Sequence, residues 1–256
     1  MWSFKAWRRG RILTLHPIED ALWQAMLAAT PLLHGLSSRE LQRLRDWATL
    51  FLQDKHFSGA GGLVVTDAMR LDIAARACLL ILNLDFDCYR GWSEIIVYPE
   101  EFVPEREYID DSGIVHISRE PLSGEAWLGG PVILAWGPAG ESGGGFNVVL
   151  HEFAHKLDML NGDADGFPPL RRGMSQQRWT KEFHDAYEKL CRQVERGEQT
   201  PIDPYAGESP AEFFAVLTEA FFEVPNTVKT NYPALYAQLK AFYCQDPCAR
   251  SGSRPD

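Results

Sequence analysis

The chain has 256 residues, 45% of them hydrophobic and 23% charged, with 25 basic against 35 acidic side chains and a net charge of -10. This composition excludes disorder, collagen and coiled coil and fits an ordinary globular protein. The acidic balance argues against direct nucleic-acid binding, because a phosphate backbone is held by clustered positive charge.

In chain order, residues 1–15 (MWSFKAWRRGRILTL) are cationic and carry two tryptophans. They lack the apolar core and small-residue cleavage site of a secretory signal, and are expected to be flexible. Residues 18–30 and 37–53 have apolar positions at three-and-four spacing, which predicts two helices, and Ser37 with Glu40 has capping-box spacing. Between Val64 and Leu82 a further helix is expected, starting near Thr66 or Asp67 and apolar over most of its circumference, hence buried. The longest apolar stretch, Ala77 to Leu84, falls far short of the roughly 20 residues that cross a bilayer, so no membrane partner is expected. Next, SEIIVYP (93–99), GIVHIS (113–118) and GPVILAW (130–136) are β-branched or aromatic runs bounded by Gly and Pro, read as three strands of one small sheet. Helices return at 147–160, 177–195, 209–223 and 232–245.

Helices, then strands, then helices indicate an α+β fold and not alternating βαβ units. No linker or repeat marks a boundary, so residues 1–256 are read as a single domain, with a helical lobe at about 16–85 and the sheet and remaining helices at about 90–245. Cys78, Cys88, Cys191, Cys244 and Cys248 make no dense disulfide framework, and their odd number leaves one unpaired in any case. A reducing cytoplasm is the expected location.

The motif with chemical content is His151-Glu152-Phe153-Ala154-His155 within FNVVLHEFAHKLDMLNG. Asn147 is a candidate N-cap and Asn161-Gly162 a candidate stop, which places the pentapeptide on a helix. Four-residue spacing sets His151 and His155 one turn apart on one face, the separation at which two imidazoles reach a single zinc. Glu152 stands beside that face, where it can take a proton from an attacking water.

Two histidines do not fix a zinc, so a third ligand is required. The HExxHxxGxxH solution is excluded, because Asp158 and Asn161 stand where its glycine and third histidine belong. The remaining common solution is a glutamate on a second helix, and ESPAEFFAVLTEAFFEV (208–224) is the candidate. Ser209 can cap it, Pro210 fits its first position, and its phenylalanines make it apolar nearly all round, hence buried. Glu212, Glu219 and Glu223 form almost one stripe on it. Glu212 is either a ligand or the capping-box partner of Ser209, while Glu219 and Glu223 have the alternative of a solvated edge. Asp158, on the ligand face of the first helix, either accepts the second ring N–H of a ligand histidine or faces water.

The run LHEFAHKLDMLNGDADG, followed about 45 residues later by YAGESPAEFFAVLTEAFF, resembles the Mlc titration factor A family of zinc metallopeptidases. SEIIVYPEEFVP, GPVILAW and FYCQDP extend that resemblance over most of the chain, and the second motif also resembles the corresponding part of the anthrax lethal factor protease domain. The resemblance implies a zincin-like fold with one zinc per chain. It further implies that His151, His155 and Glu212 bind that zinc, that Glu152 is the general base and that Tyr205 is a catalytic tyrosine. It also implies an aminopeptidase or short-peptide hydrolase that binds the glucose-responsive repressor Mlc and so modulates expression of the sugar phosphotransferase system. The alternative is a regulatory repressor-binding protein with a mainly structural zinc. By analogy with such peptidases, the strand at 130–136 is the edge along which a peptide substrate pairs. The other histidines, at 16, 34, 56, 116 and 184, are scattered and read as structural, and Gly143–Gly145 as a loop near the cleft that lacks the ending of a phosphate loop.

Overall fold

The computed structural model describes residues 4–102, 106–109, 115–118, 123–137 and 146–251. The Gly143–Gly145 loop and residues 113 and 114 of the expected second strand lie outside them. The N-terminal third is helical, with α1 (Phe4–Leu15), α2 (Asp20–Ala29), α3 (Ser38–Asp54) and α4 (Asp67–Leu80). Residues 4–15, expected to be flexible, form α1, where Lys5 and Arg9 pair with Asp87, Arg9 Nη2 at 3.0 Å, while Ile12 and Leu13 pack on the core. Ser37 and Glu40 form the expected capping box on α3, and Thr66 caps α4 by accepting the Met69 N–H. Every residue of α4 from Ile73 to Leu80 is buried, with Arg76 neutralised by Asp72 at 2.8 Å.

The strands are β1 (His56–Gly59), β2 (Glu94–Tyr98), β3 (Arg106–Ile109), β4 (Val115–Ser118), β5 (Gly124–Ala126) and β6 (Val132–Ala135). Four form one sheet in the order β1-β2-β6-β5, in which β1, β2 and β6 are parallel and β5 is antiparallel to β6. Two features differ from the sequence reading. The strand expected at 113–118 contributes β4, which pairs with β3 in a separate antiparallel hairpin and not with β2 and β6. The segment at 130–136 is not an edge: β6 lies inside the sheet, and the edge on its side is β5, a three-residue strand without an apolar run, with β1 at the opposite edge. The link from β1 through α4 to β2 is also a parallel crossover, so the α+β layout contains one βαβ unit.

The C-terminal half comprises α5 (Val148–Asp158), α6 (Gln176–Glu195), α7 (Pro210–Glu223), α8 (Pro225–Asn231), α9 (Pro233–Tyr243) and α10 (Pro247–Ser251). Prolines at the first positions of α7 to α10 punctuate this stretch, each fitting a position whose N–H has no intrahelical acceptor. The short polar helix α8 gives no amphipathic pattern, which is why periodicity misses it.

Helix α5 is fixed from behind by an aromatic cluster. Phe153 is fully buried, and its ring centroid lies 5.6 Å from Phe51, 5.2 Å from Tyr89 and 5.7 Å from Trp92. Because Phe153 stands between the two motif histidines on the opposite face, its packing sets their direction. Replacing Phe153 by Ala should destabilise the protein by about 3–5 kcal/mol through lost burial and a residual cavity, and Phe153→Leu by clearly less. Urea unfolding of the two variants checks this.

Candidate metal centre

Asn147 starts α5 by accepting the Leu150 N–H at 3.1 Å, and Ser209 starts α7 by accepting the Glu212 N–H at 3.1 Å. With both helices fixed at these ends, Glu212 turns its carboxylate away from its own cap and toward α5. His151 Nε2 and Glu212 Oε2 are 2.9 Å apart, the two histidine Nε2 atoms 3.2 Å, and His155 Nε2 and Glu212 Oε2 3.4 Å. Two imidazole nitrogens aimed at each other at this distance need a proton or a cation between them. A tetrahedral metal with bonds near 2.0 Å has ligand-to-ligand edges of roughly 3.3 Å, so the triangle fits such an ion. Among the described residues, His151, His155 and Glu212 are the group able to hold a metal ion.

Behind the triangle lies a layer of carboxylates. Glu219, read from sequence as a ligand or a solvated edge, is neither exposed nor part of the triangle: it is buried, with Oε1 2.7 Å from His151 Nδ1 and the Asn147 backbone N–H bonded to its other oxygen. Glu223 accepts from Asn147 Nδ2 at 2.7 Å. These contacts fix the ring orientation of His151 and leave Nε2 facing the triangle. The apolar circumference of α7 was the available signal, since a carboxylate on a helix buried all round must have a partner. Asp158 is fully buried, so it does not face water; it accepts the Gly166 N–H at 2.7 Å and makes no hydrogen bond to His155.

Glu152 points into a cleft of about 230 Å³ whose wall includes Gly124, Phe146, Val148, Tyr205 and Val216. It is 4% exposed, and its Oε2 has no hydrogen-bond partner. Burial, with the nearby negative charge of Glu212 and Glu219 overcoming attraction from His151, pushes its pKa up to about 8. Burial opposes a charged His151, yet its hydrogen bonds to Glu212 and Glu219 prevail and raise its pKa well above the usual value. Contacts with His151 and His155 hold Glu212 below the normal carboxylate range against the effect of burial. Tyr205 sits in the turn 204–207 at the cleft mouth, 46% exposed, its ring centroid 6.2 Å from that of His151. All five expected residues line the adjoining cleft of about 210 Å³, which shares Gly124, His151, Glu152 and Tyr205 with the first.

The family model of the glucose-regulated metallo-peptidase M90 matches residues 4–244 of the chain. The chain belongs to this metallopeptidase family. Its relatives include a Mlc titration factor A of Serratia proteamaculans, 42% identical over 236 residues that cover 90% of this chain and 89% of that one. A protein of the same name from Salmonella typhi is 40% identical over 239 residues, covering 91% and 89%. An uncharacterised protein of Synechocystis is 38% identical over 255 residues, covering 96% and 92%. In a chain of this metallopeptidase family, His151, His155 and Glu212 form a candidate metal-binding triad.

The titration of Glu152 has a measurable consequence for the metal-free protein. Its pKa rises from 4.5 to about 8 on folding, so the folded chain retains a proton that the unfolded chain releases. That contribution to stability is complete below pH 4.5 and is lost as pH rises toward about 8, and the raised pKa of His151 acts in the same direction above pH 6.5. The chelated protein should therefore lose thermal stability between about pH 5 and pH 8, and Glu152→Gln, neutral throughout, should flatten part of that slope. Melting temperatures across a pH series provide the check.

Proposed function

We propose that this chain is a zinc-dependent peptidase of the HExxH-plus-glutamate type, acting on short peptides or exposed amino-terminal ends. One zinc would be held by His151, His155 and Glu212, a donor set of two imidazoles and a carboxylate that suits zinc and leaves a fourth position for water or substrate. The observation that carries this reading is Glu152: a buried carboxylate, unpartnered at Oε2, beside three converging donors and facing a cleft. A site that only held the fold together would have no use for it.

When bound, the zinc supplies Lewis acidity to the attacking water and the scissile carbonyl. Glu152 takes the proton of the attacking water and returns it to the leaving amine. The Tyr205 hydroxyl donates to the carbonyl oxygen as negative charge gathers there. Glu219 holds His151 in place throughout, through its contact with Nδ1. Asp203 and Glu125 line the cleft, and no lysine or arginine is among its described lining residues, so a free α-ammonium group suits the site.

Binding of the Mlc repressor is a second proposed activity, supported by the names of the relatives. The net charge of -10 fits a protein whose effect on transcription passes through such a partner and not through DNA. A cytoplasmic location is in keeping with five free cysteines. No helix among the described residues is long and apolar enough to cross a membrane.

Zinc content separates ligand from support. Glu212→Ala should lose stoichiometric zinc, whereas Glu219→Gln should keep it with an affinity lower by about 10- to 100-fold; undiminished zinc in the first variant overturns the ligand set. In a peptide-library digest, Glu152→Gln should retain zinc and lower kcat by at least about 10²-fold, and Tyr205→Phe by about 10²-fold with KM little changed. Cleavage at the wild-type rate by Glu152→Gln overturns the peptidase mechanism. Immobilised repressor should retain wild type and Glu152→Gln alike.

A further inference from the structure

The edge strand β5 meets the zinc helix at its first residue. A Cβ placed on Gly124 would stand 2.7 Å from both Cγ and Cδ of Glu152, and closer still to Oε1. Real Cβ atoms do not approach heavy atoms at such distances, so at this point the backbone occupies space that any other residue would deny to the Glu152 side chain. The backbone itself does not demand glycine: Gly124 is absent from the residues with positive φ, and it pairs with Leu134 in regular antiparallel register. The close approach to Glu152 is thus the reason for the glycine.

The strand is not free to withdraw. Lys156, next to His155 on α5, donates from Nζ to the carbonyls of Trp127 at 2.5 Å and Gly130 at 2.8 Å, tying the β5–β6 turn to the helix that carries the motif. The Trp127 N–H to Pro131 carbonyl bond closes the same turn. With the far end of β5 fastened to α5 and its length registered on β6, an added Cβ at 124 must be met by movement of Glu152.

We propose that Gly124 is a positioning residue for the Glu152 carboxylate, its missing Cβ leaving the room in which that carboxylate stands, with Lys156 holding the strand at that distance. This assignment rests on the peptidase reading of Glu152 but is testable apart from it. Gly124 lines the cleft on both sides of Glu152, so the same close approach brings the strand backbone and the base to one point of the cleft wall. A side chain at 124 would push the carboxylate along the cleft and away from the water it is to deprotonate. Misplacement of a reacting group by about 1 Å is enough to cost on the order of 10²-fold in rate.

The test is the zinc-loaded Gly124→Ala protein, read by crystallography, zinc content and kinetics. The expected result is a Glu152 carboxylate displaced by about 1 Å or more, an unchanged zinc stoichiometry, and a kcat lower by on the order of 10²-fold at a KM within about twofold of wild type. Should Gly124→Ala fold poorly, combining it with Glu152→Ala should restore the melting temperature, because the three atoms nearest the added Cβ all belong to Glu152. A carboxylate that stays in place, or a fall in stability that the double variant does not relieve, overturns the assignment. A wild-type protein that cleaves no peptide, with Glu152 nonetheless displaced in Gly124→Ala, overturns the peptidase reading and leaves this one standing.

Discussion

Two imidazole nitrogens and a carboxylate oxygen face one another across the space between α5 and α7, within 2.9–3.4 Å, and much of the remaining structure serves that convergence. Such a group is costly to bury unless a cation or shared protons balance it. The surrounding carboxylates give the balance its shape: Glu219 and Glu223 face Asn147 and His151, so the start of α5 and the length of α7 are joined by charge-assisted hydrogen bonds in addition to apolar packing. Phe153 and its aromatic neighbours hold α5 from the other side. The helix is consequently clamped between an oily cluster and an acidic layer, and its ligand face has little freedom to rotate.

The sheet contributes one short strand to the cleft. Ile95, Val97, Val132 and Leu134 of its inner strands are buried, and α5 packs on β5 and β6. Only β5 reaches the cleft wall, with Gly124 against Glu152 and a turn fastened by Lys156. Burial together with the neighbouring Lys55 brings the pKa of Lys156 down to about 8. Its two carbonyl acceptors and the face of Trp92, 4.7 Å from Nζ, offset that cost. The residue after the second motif histidine thus couples β5 to α5.

Legibility in the sequence divides along a physical line. The motif helix, its Asn147 cap, the Ser37–Glu40 box and the buried α4 were readable because each depends on residues a few positions apart. Glu212 as partner of the histidines came from resemblance, since the apolar pattern of α7 left three glutamates open. The edge strand beside β6 was unreadable: Gly124–Ala126 has neither length nor β-branched residues, and its strand state is imposed by β6. The ion pairs of α1 reach Asp85 and Asp87, some 80 residues away, which no local rule connects to Lys5 and Arg9.

The sequence by itself determined helices α2 to α7 and α9, the α+β class, the HExxH face and the acidic character, because these follow from periodicity, capping chemistry and charge. Tertiary structure decided which glutamate meets the histidines, which one steadies them from behind, that β5 and not β6 forms the edge, and that a glycine there makes room for Glu152. Those outcomes depend on distances of a few ångströms between segments up to about 70 residues apart, and they exist only once packing has fixed where each backbone runs.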